Sequence, residues 1–177
     1  MSTRARTIRD YIPVRAFIRK KFFWYIIPNL LLNSIIPYFS FKNPAAVSLF
    51  NGEFCFARFV LPMALFIPFA ITVDFLKKLT EFMRTINLND LLNSETVNMR
   101  QFLRFGLYNG LITFLIAFSL LFIAYELTPT GFTYNGLLLA GINGIASSFM
   151  AVYFVFWSLR KLDELIKIYT DTKEKAA

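Results

Sequence analysis

Histidine is absent from the 177 residues, and cysteine occurs once, as Cys55. Without a second cysteine no intrachain disulfide can form. Without histidine the usual Cys/His zinc sets, haem ligation and His-dependent catalytic dyads cannot be assembled within this chain. No catalytic residue, metal ion or cofactor is expected. Cys55 reads as a small apolar residue in a helix, with a free reactive thiol as the alternative. Charge is sparse as well: Asp, Glu, Lys and Arg make up 17% of the chain. No acid falls in the middle of an apolar run, which counts against a proton-driven antiporter, because such a machine needs an ionisable group inside the bilayer.

What fills the sequence instead is apolar: 56% of residues are hydrophobic and the mean hydropathy is +0.53. Four runs, at 22–41, 54–76, 105–125 and 137–159, are each close to the length of about 20 residues that crosses the hydrocarbon layer. The fold class read from this is all-α: a polytopic membrane protein, a four-transmembrane-helix bundle with short amphipathic cytoplasmic helical extensions. A soluble bundle would have to bury every one of these runs, and a chain this short has too much surface for its volume.

The net charge of +8 could suggest nucleic acid, but the cations sit beside the apolar runs. Lys and Arg number seven before the first run, one in the first short connection, five over 77–104, none in the second short connection and five after Leu159. That alternation places both termini and the central connection in the cytoplasm, with 42–53 and 126–136 outside, as in a bacterial cytoplasmic membrane. The same charges suit anionic lipid head groups on the cytoplasmic face, so no nucleic-acid partner is predicted. A cleaved secretory signal ending near Ala46, Val47 and Ser48 is the competing view of the first run. The long basic leader, the span-length run and the later spans favour a retained helix.

Three regions follow. Residues 1–21 form a basic leader in which Val14, Phe17, Ile18 and Phe22 recur at helical spacing, with Pro13 near the start. This pattern fits an interfacial amphipathic helix or an apolar lead-in to the first span. Residues 22–159 form the membrane domain. Residues 160–177 form a helical tail whose stripe is Leu159, Leu162, Ile166 and Tyr169. Asn87 to Asp90 and Asn93 to Glu95 are expected to turn the central connection. A weak internal echo suggests two parallel hairpins, 22–79 and 105–162: Asn51-Gly52 and Asn135-Gly136 are 84 residues apart, and Lys77-Lys78-Leu79 and Arg160-Lys161-Leu162 are 83 apart. All membrane hairpins share such flanks, so chance alignment competes with a true repeat.

Few polar residues interrupt the spans. Asn29 and Asn33 lie four apart on one helical face, Arg58 interrupts the start of the second run, and Asp74 precedes Lys78 by one turn. Together Asn29, Asn33, Arg58 and Asp74 could line a polar or transport seam. Each also has a structural reading: amide pairing between helices, snorkelling to the outer head groups or pairing with Glu53 or Glu126, and a boundary ion pair. Gly106 and Gly110, and Ala140, Gly141, Gly144 and Ser148, form stripes of small residues that allow close helix approach, within one subunit or across a homo-oligomer. Trp24, Tyr25, Tyr38, Tyr125, Tyr153 and Trp157 fall toward the membrane interfaces.

These features favour a small non-catalytic scaffold, assembly factor or accessory subunit within a larger membrane complex. An oligomeric small-solute or ion transporter or channel is the main alternative, and a membrane-interface enzyme the lesser one.

Overall fold

The computed structural model describes residues 11–88 and 98–176, with side chains through Ile168. Asn89, Asp90, the Asn93 to Glu95 turn and Tyr169 of the tail stripe lie outside the described residues or side chains. Among the described residues there are four helices: α1 (Ile12–Ser40), α2 (Ala57–Thr85), α3 (Met99–Glu126) and α4 (Gly136–Ala176). Each contains a stretch long and apolar enough to cross a membrane. Only 6% of that stretch in α1 and 17% in α3 is buried within the protein. A bundle in water could not leave such faces uncovered, so the surrounding medium must be lipid.

The helices are longer than the apolar runs because each continues past the span at the end of the bundle that carries the termini. Local signals account for the boundaries. Pro13 stands in the first turn of α1, where its missing donor costs nothing. Asn87, at a φ of +58°, closes α2, and Leu88 N donates to Met83 O at 3.0 Å in a six-to-one capping turn. The Asn98 side chain accepts from Gln101 N at 3.0 Å and starts α3 six residues ahead of its apolar run.

The leader stripe belongs to α1 itself. Val14 and Ile18 are buried with Leu79 and Met83 of α2, Phe102 of α3 and Leu159, Leu162 and Ile166 of α4. Leader and tail thus lengthen the bundle into a four-helix core beyond the span, and their apolar faces meet each other in place of a membrane surface.

Helix α1 packs along α4 and α2 along α3, with a further α2–α4 seam, whereas α1 and α2 meet only briefly. Chain order alone does not set the pairing: α2 packs on its neighbour α3, but α1 packs on α4, at the other end of the chain, instead of on α2. The first helix of each half lies on the second helix of the other half, and exchanging the halves maps the α1–α4 contact onto the α3–α2 contact. The connections at the far end are folded too. Val47 and Tyr134 form an antiparallel bridge with two 2.8 Å hydrogen bonds, and Gly136 N donates to Pro44 O at 2.6 Å. Val47, Leu49, Cys55 and Phe56 are buried there against Leu121, Leu139 and Ala140. Cys55 is a buried free thiol just ahead of α2, not a helical residue.

Candidate functional site

One proline within α1 frees a backbone carbonyl for a neighbouring helix. In a regular helix the carbonyl of Asn33 would accept from the backbone of residue 37, but residue 37 is proline and has no N–H. The vacated oxygen accepts from Asn143 Nδ2 of α4 at 2.9 Å. One turn away, Ser147 Oγ shares its proton between Asn29 O at 2.8 Å and Gly144 O at 2.7 Å. Ser148 Oγ reaches Ile26 O at 3.4 Å. Between these contacts Gly144 lets the helices close: a Cβ there would meet the Ser34 hydroxyl and lie 2.8 Å from Leu30 O.

Asn29 and Asn33 do lie on the α4-facing side, but their amides turn back onto their own helix. Asn29 Nδ2 donates to Tyr25 O at 2.7 Å, and Asn33 Nδ2 donates to Asn29 O at 3.0 Å. The contacts made across the interface come from Asn143 and Ser147. Asn143 is 1% exposed, and its Oδ1 has no hydrogen-bond partner among the described residues. The sequence signal for it was the stripe Ala140, Gly144, Ser147 and Ser148, in which Asn143 occupies the matching helical position.

The vacated carbonyl makes a specific prediction. Asn143→Leu should destabilise the bundle by about 1 kcal/mol, within the range seen for interhelical hydrogen bonds in membranes. In a Pro37→Ala background, where the restored N–H satisfies Asn33 O, the penalty should shrink. Equal penalties in the two backgrounds of a double-mutant cycle would show that the Asn143 amide is not serving that oxygen.

The second seam, α2–α3, holds Gly106 and Gly110. A Cβ on Gly110 would lie 2.5 Å from Leu65 O, and one on Gly106 would lie 2.9 Å from Phe69 O. Beside them Asn109 Nδ2 donates to Thr72 Oγ1 at 3.0 Å, both residues being buried. Gly141 departs from the expected packing stripe: a Cβ there meets nothing within 4 Å. It points about 60°, a sixth of a turn, away from Gly144 on α4, off the α1 contact.

Arg58 and Asp74 lie sixteen residues apart on α2, a rise of about 24 Å, and do not share a site. Arg58 is exposed in the first turn at the end away from the termini. Glu53, one of its anticipated partners, pairs instead with Lys42 at 3.3 Å. Asp74 takes the anticipated 2.7 Å contact from Lys78 Nζ, and the same Oδ2 accepts from the Tyr25 hydroxyl at 2.6 Å. The tyrosine is the partner that sequence reasoning missed, because its position implied only an interfacial ring.

An open cleft of about 360 Å³ separates α3 from α4, lined by Asn109, Ile112, Thr113, Met150, Tyr153 and Trp157 among others. It is mainly apolar and faces the lipid. Among the described residues no group of three His, Cys, Asp or Glu side chains could hold a metal ion. Comparison of the chain with protein-family models, curated proteins and solved structures gives no match.

Proposed function

We propose that this four-span membrane protein is a non-catalytic scaffold or accessory subunit whose basic helix ends face the cytoplasm of a bacterial cell. The observation that supports this most directly is the engagement of the intramembrane polar side chains in helix packing. Asn143 and Ser147 hold α1, Asn109 and Thr72 join α2 to α3, and Asn29 and Asn33 bond within α1. A conduction path needs polar groups in succession along an aqueous route. Here the charged candidates are Arg58 and Asp74, at opposite ends of the apolar run of α2.

The concentration of Lys and Arg at the end carrying both termini supports the cytoplasmic orientation. Stable anchoring beside a partner complex requires no chemistry beyond this rigid bundle.

Purified protein in sealed vesicles should show no solute flux above an insertion-matched control, and accessibility labelling should put Ala45 and Thr130 on the face opposite the termini. Arg58→Lys should insert as wild type does, because either long side chain reaches the head groups, whereas Arg58→Leu should disturb local orientation. Selective wild-type flux abolished by both substitutions, with assembly intact, would overturn the scaffold reading in favour of transport through a geometrically specific arginine contact.

A further inference from the structure

At the end of the bundle away from the termini, the two connections enclose a pocket of about 380 Å³ between residues 48–51 and 125–134. Both connections, 41–56 and 127–135, are described throughout. Their folding fixes the pocket walls. Gly131, at a φ of +82°, turns the chain so that Phe132 N donates to Pro129 O at 3.1 Å. Two residues on, Tyr134 is held by its backbone bridge to Val47 and by a 2.7 Å hydrogen bond between its hydroxyl and Thr128 Oγ1.

The lining combines aromatic rings with one uncompensated negative charge. The Phe132 and Tyr134 rings stand at 77° with their centroids 5.0 Å apart, which makes an aromatic corner. Tyr125 adds a third ring and is braced edge-on by Phe50 at 5.4 Å. Phe132 remains 54% exposed although it lies outside every helix. Among the described residues Glu126 alone brings a charge to the lining, and its carboxylate makes no hydrogen bond or ion pair. Glu53 is paired with Lys42, and Arg58 stays out of the lining.

We propose that this pocket binds a small organic ammonium ion, its positive charge held against the Phe132 and Tyr125 rings with Glu126 as the counter-charge. Ring faces attract a cation lying within about 6 Å of their centroids, and quaternary ammonium groups are the ligands that aromatic corners of this kind suit. Glu126 repels an anion, and a hard metal ion needs more oxygen ligands than one carboxylate supplies. The site goes beyond the scaffold reading, because it adds recognition outside the spans and neither needs nor supplies a path across them.

The test titrates choline against the full-length protein in non-ionic detergent, followed by saturation-transfer NMR of the choline methyl signal. Wild type should bind choline about tenfold more tightly than its uncharged carbon isostere, dimethylbutanol. Glu126→Gln should remove about that tenfold, and Phe132→Leu should weaken choline about threefold, as expected when one ring leaves an exposed cation site. Glu53→Gln, at the paired acid of the same end, should leave binding unchanged. Glu126 and Phe132 are both exposed, and the comparison of choline with its isostere needs no variant to fold.

Repeating the titration in nanodiscs identifies the source of the ammonium. Suppression of choline binding by phosphatidylcholine but not by phosphatidylglycerol assigns the site to a lipid head group, and equal binding in both assigns it to a soluble ion; either result supports the site. Equal binding of choline and its isostere, unchanged binding in Glu126→Gln, or an equal loss in Glu53→Gln would overturn it. Complete displacement by an equal concentration of sodium chloride would also overturn it, leaving diffuse attraction to a negative surface.

Discussion

Gly144→Leu is expected to open the α1–α4 seam, lowering bundle stability by about 3 kcal/mol through overpacking and the loss of interhelical hydrogen bonds. The obstruction is backbone as well as side chain: a Cβ at 144 would lie 2.8 Å from Leu30 O, and a carbonyl in a helix cannot rotate aside. Separating the helices also stretches the bonds from Asn143 to Asn33 O and from Ser147 to Asn29 O, which flank the glycine.

Gly141→Leu is the matched control. It sits three residues away with nothing within 4 Å of its Cβ, so it should cost little, and the better helix propensity of Leu works in its favour. Phe118→Leu, at a partly exposed residue on α3, should likewise be mild. Unfolding in graded SDS micelles, normalised to inserted protein, reads all three. Equal midpoints for the substitutions at 141 and 144 would remove Gly144 from the close crossing.

Gly110→Leu should be at least as damaging at the other seam, because Leu65 O stands 2.5 Å from the position its Cβ would take. Here the chain carries its own probe. Cys55 is its single thiol and is buried in the cluster at the far end, where Leu121 of α3 also packs. Forcing α3 away from α2 should uncover it, raising maleimide labelling in detergent by about tenfold, the change expected for a local opening made easier by 1.4 kcal/mol. Asn109→Leu, which removes the hydrogen bond to Thr72 without inserting bulk between backbones, should have a smaller effect. Wild-type labelling in Gly110→Leu, with the protein folded and inserted, would mean that the α2–α3 crossing is looser than these distances require.

The small-residue stripes show how far a sequence pattern reaches. Gly106, Gly110 and Gly144 all face a neighbouring backbone, whereas Gly141 belongs to the same composition and does not. Spacing alone could not separate Gly141 from Gly144, because which arc of α4 meets α1 depends on rotation about the helix axis. The same limit applied to Asp74. Its Lys78 contact is local to one helix and follows from i to i+4 spacing, but the Tyr25 contact spans 49 residues and needs two helices in register. The contact of Asn143 with Asn33 O was half legible: Pro37 four residues after Asn33 announces a vacant carbonyl, but the donor lies 110 residues away.

By itself the sequence determined the number of spans, their lengths and the placement of charge at the basic end. These depend on the transfer of side chains between water and hydrocarbon, which is additive along the chain and indifferent to which helices pair. Only the tertiary structure decided that α1 lies on α4 and α2 on α3, and that the leader and tail complete one core. Hydrophobicity does not drive one apolar helix onto another within lipid. Partner choice rests on close backbone approach and on individual donors meeting individual carbonyls, and those depend on the rotation and depth of whole helices.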